Sequence, residues 1–261
     1  MELTRFAIIT VCYNAEDYIS DTIDSLLKQK YTNYHYIIQD GMSTDNTMNR
    51  IIEKTADNPK VDVCSEKDDG IYDAMNRALS RVHGEYVFFL NAGDCLADDT
   101  VLARVNEYIG RSSADIVYGN IFQIQGNRKE LRRFGNLCKS SLYFCVGSCI
   151  CHQAIFAKKD LFERKKFDIR YRVCADREWL MFCQKEGVTM GRMGFVVASV
   201  LVEGFSSNHV KELEKEAEKC ITKYYGKKVY IYKILLGIKK NALIAKGFGK
   251  LDRTLFVRRS R

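Results

Sequence analysis

Proline is nearly absent from this sequence: Pro59 is the only one in 261 residues. Pro-rich spacers and low-complexity linkers are missing with it, and no internal repeat suggests a solenoid or propeller. The length allows one core, or one core with an extension. Long hydrophobic runs are missing as well. The longest, 193–202, contains Gly194 and Ser199 and falls well short of the roughly 18 residues a membrane span needs. Residues 1–5 lead directly into the apolar run 6–11, without the pattern of a secretory leader. A cytoplasmic protein is expected, not an integral membrane one.

Cysteine is plentiful by contrast, at ten residues. Without a leader they point to reduced thiols and not to a disulfide framework. Cys145, Cys149, Cys151 and His152 crowd together like metal ligands. Their spacing lacks the paired knuckles of zinc modules and no second cluster follows, so they read as small thiols in an apolar segment. Charge is unevenly placed. The net charge is +8, yet from Gly226 onward 11 Lys and Arg face a single Asp, which leaves the preceding body slightly negative. Such a tail suits an anionic partner. The body is not basic and no reader motif is present, so nucleic acid is not expected and a membrane surface is.

The first 120 residues alternate apolar runs with helical periods. Strands are expected at 6–11, 34–39, 61–65, 86–90 and 115–118, and helices at 18–28, 45–56, 71–80 and 98–109. This rhythm predicts an α/β fold with a largely parallel sheet and helices on both faces. The region 119–202 is less regular, with helical stretches near 158–162 and 176–186, and 211–224 reads as a highly charged helix.

In such sheets ligands bind beyond the carboxyl ends of the strands. The loops there are Thr10-Val-Cys-Tyr-Asn14, the polar run 40–47 from Asp40, the acidic run 66–76, and Asn91-Ala-Gly-Asp94. Four polar loops on one edge should converge on one cleft. Asp45 and Asp98 are expected only to cap the helices that follow them. Asp40 is placed to accept from a base or ribose, and Asp94 to ligate a hard cation that bridges a diphosphate. The first strand ends in Cys-Tyr-Asn instead of Gly-x-Gly-x-x-Gly, which argues against a dinucleotide-dependent oxidoreductase. The Gly-rich basic loop of a nucleotidyltransferase is absent there too.

These four runs, in order and at these spacings, resemble the family 2 glycosyltransferases, and the resemblance extends through 150–156 and 167–180 to cover about 6–207. It implies a GT-A (nucleotide-diphospho-sugar transferase) fold, with a mixed, mostly parallel sheet flanked by helices and a C-terminal helical extension. The catalytic domain would be 1–208, with a nucleotide half 1–120 and an acceptor half 121–208, followed by a helical basic tail at 209–261. It implies that Thr10, Tyr13 and Asp40 hold base and ribose, and that Asp69, Gly70 and Asp73 line the base and phosphate side. Asn91, Ala92 and Gly93 would approach the ribose, and Asp94 would bind Mn2+ or Mg2+. Asn91 and Gly93 stand where acidic residues are common in the family, so the metal role falls on one carboxylate. That allows weak metal dependence, or a degenerate member acting as a binding or scaffold subunit. His209 is a distant candidate for a further ligand, although a lone His there is more often a surface residue.

Asp176 matches the family's catalytic base. An acceptor hydroxyl must lose its proton as it attacks the anomeric carbon, and a carboxylate at a helix start can take it. Glu178 is the alternative. One base and no protein nucleophile imply inversion, from a nucleotide sugar (a UDP-sugar by resemblance) to a glycan or lipid-linked glycan of cell-surface polysaccharide synthesis. Gly204–Asn208 matches an acceptor-side loop. On a helical wheel, 229–246 places most lysines opposite Ile231, Ile234, Leu235 and Ile238, a basic amphipathic helix suited to the cytoplasmic membrane face.

Overall fold

The structure is a computed structural model that describes residues 4–135, 150–202, 209–231, 233, 234, 237 and 238. Strand β1 (Thr4–Cys12) and strand β2 (Tyr34–Asp40) are buried along nearly their whole length, so they are covered on both faces. Between them α1 (Ile19–Leu27) buries Ile19, Thr22, Ile23 and Leu26, the helical spacing expected of one face. Helices α2 (Thr47–Thr55) and α3 (Ile71–Ala78) flank β3 (Val61–Ser65), and β4 (Gly84–Phe89) follows. These four strands are parallel, in the order β3-β2-β1-β4.

Beyond β4 the sheet departs from a simple parallel series. The expected strand at 115–118 is the start of β6 (Ile116–Gln125), but it does not lie against β4. Strand β8 (Ile155–Lys158) inserts between them, antiparallel to both. The apolar run 193–202 belongs to β9 (Met190–Leu201), parallel to β6. The short β5 (Cys95–Leu96) pairs antiparallel with β9, and β7 (Arg128–Arg132) folds back on β6 as a hairpin. Among the described residues the sheet has nine strands, six in one direction and three in the other. It is mixed and mostly parallel, as expected.

Helix α4 (Val101–Arg111) packs Val101, Leu102, Val105 and Ile109 inward. Helices α5 (Lys159–Arg164) and α6 (Ala175–Lys185) meet around Phe162 and Trp179, stacked at 4.4 Å and 8°. Helix α7 (Val210–Tyr225) lies within the part expected to be a separate tail. Ala217, Cys220, Ile221 and Tyr225 nevertheless join the same hydrophobic core as β1 and β4, so a boundary at 208 does not divide the molecule into two packed units. The charged sequence of α7 hides this stripe of four residues. No helix among the described residues is long and apolar enough to cross a membrane.

Candidate active site

The register of the parallel strands sets the cleft. Cys12 lies opposite Asp40, and Asp40 opposite Ser65, so the loops after β1, β2 and β3 leave the sheet at one level. The chain after β4 continues along β1, with the N–H of Leu90 on the Ile9 carbonyl and that of Ala92 on Val11. All four polar loops therefore meet at one edge.

On the side of β1–β3, the loops lock to one another. Asp40 is fully buried and its carboxylate accepts from the Ser43 N–H at 3.1 Å, Ser43 Oγ at 2.5 Å and Ser65 Oγ at 2.6 Å. Asn14 Oδ1 takes the Thr44 N–H, and the Asn14 N–H reaches Ser43 Oγ. Thr10 is also fully buried, its hydroxyl between the Leu90 carbonyl and Tyr36 OH. Thr10 and Asp40 thus lie beneath the cleft surface. Tyr13, 63% exposed, lies on it. A Cβ at Gly41 would stand 2.6 Å from Asp68 Oδ2 and 3.4 Å from Tyr13 Cδ2, so the Tyr13 ring and the Asp68 carboxylate converge over a bare glycine. Asp68 was not singled out by sequence, although it lies in the same acidic run as Asp69. Its carboxyl is pushed up by burial.

Gly70 opens α3 at φ 114°, a conformation that favours glycine. Asp73 accepts the Asp69 N–H at 3.1 Å and Arg77 Nε at 2.8 Å. Burial would raise its carboxyl, but these bonds outweigh that and hold it below the usual range. Asp45 accepts the Thr47 N–H and Asp98 accepts from Thr100, but the N-cap positions of these helices are Asn46 and Thr100, so both aspartates brace the chain just ahead of the helix and do not cap it as expected.

The second half of the site is built on a single 3-10 turn, His152–Ala154, just before β8. Its consecutive side chains hold two carboxylates. Gln153 Nε2 donates to Asp94 Oδ2 at 3.0 Å, while Asp94 Oδ1 takes the Leu201 N–H at 3.2 Å. His152 Nδ1 lies 3.2 Å from Asp176 Oδ2, and its Nε2 lies 2.8 Å from Asn91 Nδ2. A carboxylate can only accept, so the imidazole proton sits on Nδ1 and Nε2 accepts from Asn91. Asp176 Oδ1 accepts Tyr72 OH at 3.1 Å and the Arg177 N–H at 2.7 Å.

The two carboxyls are driven apart. Asp94 is 4% exposed, and burial raises its carboxyl to about 6 against the weaker pull of Gln153 and His152. For Asp176 burial also acts upward, but His152, the Arg177 N–H and Tyr72 prevail and hold it below the usual range. A carboxylate has about four lone-pair sites, and Tyr72, Arg177 and His152 occupy three of those on Asp176. One stays open on a side chain 16% exposed. Glu178, the alternative, is fully enclosed. Its Oε1 takes Lys165 at 2.8 Å, Lys223 at 2.6 Å and Tyr224 OH at 2.5 Å, so it ties α6 to α7 and does not face the cleft.

Gly93 turns at φ 95°, its N–H on Thr22 Oγ1 at 2.9 Å, and a Cβ there would stand 2.9 Å from Leu201 Cδ1. Asn91 Oδ1 and Gln153 Oε1 are buried oxygens without a hydrogen-bond partner among the described residues. No group of three His, Cys, Asp or Glu able to enclose a metal occurs among the described residues. What is present is one buried carboxylate beside orphaned amide oxygens. This suits an open cation site completed by substrate phosphate, which Mg2+-type ions accept. His209 caps α7. Cys145, Cys149 and Gly204–Asn208 lie outside the described residues, while Cys151 is a free thiol raised to about 12, chiefly by burial.

A model of the family "Glycosyl transferase family 2" matches residues 7–175. A Mycobacterium bovis "PGL/p-HBAD biosynthesis glycosyltransferase" is 33% identical over 219 residues, 82% of this chain and 83% of its own. An Escherichia coli "UDP-Glc:alpha-D-GlcNAc-diphosphoundecaprenol beta-1,3-glucosyltransferase", WfgD, is 25% identical over 90% of this chain and 94% of its own. Among solved structures, Staphylococcus aureus TarS 1–349 with UDP superposes with a TM-score of 0.66 at 18% identity, covering 95% of this chain and 76% of that one. The Pyrobaculum calidifontis mannosyltransferase PcManGT, with GDP-Man and Mn2+, gives 0.68 at 16% identity, covering 95% and 77%. These likenesses show the fold to be GT-A.

Proposed function

The chain belongs to glycosyl transferase family 2 and is a glycosyltransferase, and from that premise we propose that it moves a sugar from a UDP-sugar to a hydroxyl of a lipid-linked glycan, with inversion. The observation that carries the reading is the turn His152–Ala154, whose neighbouring side chains bond to Asp176 and to Asp94. The relative named for a diphosphoundecaprenol-linked acceptor supports the acceptor class.

In this reading Tyr13, Asp68 and Asp69 receive base and ribose, over a floor shaped by Thr10 and by Asp40 through Ser43 and Ser65. Gly70 and Asp73 set the first turn of α3 on the phosphate side. The loop Asn91, Ala92, Gly93 lets backbone approach the ribose, and Asp94 faces the diphosphate. A bound Mn2+ or Mg2+ would neutralise the charge that develops on the departing diphosphate. Asp176 takes the acceptor proton at its open lone pair as the acceptor oxygen bonds to the anomeric carbon. The bond from that carbon to the diphosphate oxygen breaks on the opposite face and its electron pair leaves with the nucleotide. Asp176 is ionised at neutral pH, so it is ready to accept without a prior proton loss. His152 and Tyr72 hold it in place.

Incubation with UDP-sugars, Mn2+ and undecaprenyl-diphosphate-linked sugars tests this. The expected product carries inverted anomeric configuration by NMR. Asp176→Asn should lower kcat by about 10²–10⁴ while donor binding persists. Retained configuration, or an active Asp176→Asn, would overturn the mechanism.

A further inference from the structure

We propose that Glu216, on α7, is a positioning residue for Asp176. The proposal rests on Asp176 being the base, and it concerns a residue outside the family-matched stretch 7–175.

Glu216 is a carboxylate only 6% exposed, on a helix whose other buried residues are small or apolar apart from Tyr225. Three successive backbone N–H groups point at it. Arg172 donates to Oε1 at 2.8 Å, and Val173 and Cys174 donate to Oε2 at 2.9 and 3.1 Å. Consecutive N–H groups aimed at one point make an anion-binding concavity, and here a distant part of the same chain fills it. The need arises locally. Helix α6 starts at Ala175 with Cys174 as its N-cap, and no side chain of that residue caps it. Buried N–H groups at a helix entrance are costly unless a partner is brought to them.

The link to Asp176 runs through Val173. The Val173 N–H is fixed by Glu216, and its carbonyl accepts Tyr72 OH at 3.2 Å. The same hydroxyl reaches Asp176 Oδ1 at 3.1 Å. Glu216, Val173, Tyr72 and Asp176 thus form one hydrogen-bonded set that runs from two residues before the base-bearing helix into its first turn. Cys220, one turn along α7, lies with its Sγ 3.9 Å from that of Cys174, so the two segments are packed side by side at this point. Without the Glu216 carboxylate, 172–174 must turn toward other acceptors. The entrance of α6 then shifts, and the Asp176 carboxylate loses its alignment with Tyr72 and His152 and the orientation that leaves its last lone pair open.

Glu216→Gln keeps the volume but turns one acceptor into a donor against one or two of these N–H groups, and Glu216→Ala removes both acceptors. Carboxyl 13C NMR titration of Asp176, assigned by its absence in Asp176→Asn, reads the positioning without any substrate. Positioning predicts that the Asp176 midpoint rises in both variants as its donors misalign. A purely electrostatic influence predicts a fall, because a nearby negative charge has been removed. In UDP-glucose turnover with Mn2+, kcat should drop by up to about a hundredfold for a shift near 1 Å, with UDP binding by calorimetry unchanged. An unmoved or lowered midpoint in Glu216→Gln overturns the proposal. Equal losses of kcat and UDP binding, or failure of both variants to fold, also overturn it in favour of a plain structural staple. An active Asp176→Asn would instead sink the base assignment, whatever the Glu216 variants do.

Discussion

At the scale of single residues, the site holds its two carboxylates in opposite states of ease. Asp94 is buried, and its carboxyl rises from 3.8 to about 6. The folded state therefore binds this proton more tightly than the unfolded chain does. The cost of its charge is absent below about pH 4, grows between 4 and 6, and is full above that, where two units correspond to about 3 kcal/mol. Asp94→Asn should raise metal-free stability at pH 7.5 by up to that amount, because the buried charge is gone and the Gln153 amide, turned over, can accept the new N–H at Oε1. Thermal melts in EDTA would show the gain at pH 7.5 and its disappearance at pH 4, while Mn2+-supported turnover is lost. Equal melting of both proteins at pH 7.5 would show that the charge is not strained. Asp176 is the converse, since His152 contributes first among the partners that hold it down. In His152→Phe the acid limb of kcat/KM should move to higher pH, and kcat should fall about tenfold or more. An unshifted limb would separate His152 from the base.

At the scale of elements, the aromatic contact between α5 and α6 anchors the base-bearing helix. Trp179 is 2% exposed, stacks on Phe162 and donates Nε1 to the Lys165 carbonyl at 2.8 Å. Trp179→Ala should cost about 3–5 kcal/mol in urea unfolding, and a loss under 1 kcal/mol would mean that the helix is held chiefly by α7. The parallel half was legible from sequence because each strand there is a nearly continuous apolar run ended by a polar loop, a purely local signal. Strand β8 was not, because what defines Ile155–Lys158 is its insertion between β4 and β6, a long-range pairing with no periodicity in four residues. The same distinction governs the site. Asp40, Asp94 and Asp176 could be singled out from strand ends, a helix start and family motifs. His152 and Gln153 fall in the family-like run 150–156 but take no role from it, because their importance comes from reaching Asp176 and Asp94 across 24 and 59 residues of chain. His152 had a visible local reading as part of a thiol-rich cluster, and that reading pointed elsewhere. Glu216 looked like one more charge on a charged helix until its three backbone partners were in place.

At the scale of the molecule, the chain divides by charge at a different point from where it divides by packing. The strongly basic segment begins at Gly226, but the packed body runs through α7 to Val229, which is 8% exposed. Beyond it Tyr230, Ile231, Ile234 and Ile238 are exposed and share one helix face. Large apolar side chains on the outside, beside Lys227 and Lys233 and ahead of eight further Lys and Arg, suit an anionic bilayer surface. Each basic residue near such a surface adds about 1 kcal/mol and is screened by salt. Two truncations therefore have different outcomes. A chain ending at Val229 should keep its melting temperature within a few degrees, since it loses little of the core, and should lose flotation with phosphatidylglycerol vesicles. A chain ending at residue 208 should fail to fold, because it uncovers the partners of Ala217, Cys220 and Ile221, removes Lys223 and Tyr224 from the enclosed Glu178, and leaves the N–H groups of 172–174 without Glu216. Binding of the full chain should weaken as NaCl rises from 50 to 500 mM and should be absent on neutral phosphatidylcholine vesicles. Equal flotation of the full chain and the chain ending at Val229 would take the membrane role away from the tail while leaving the fold argument for α7 intact.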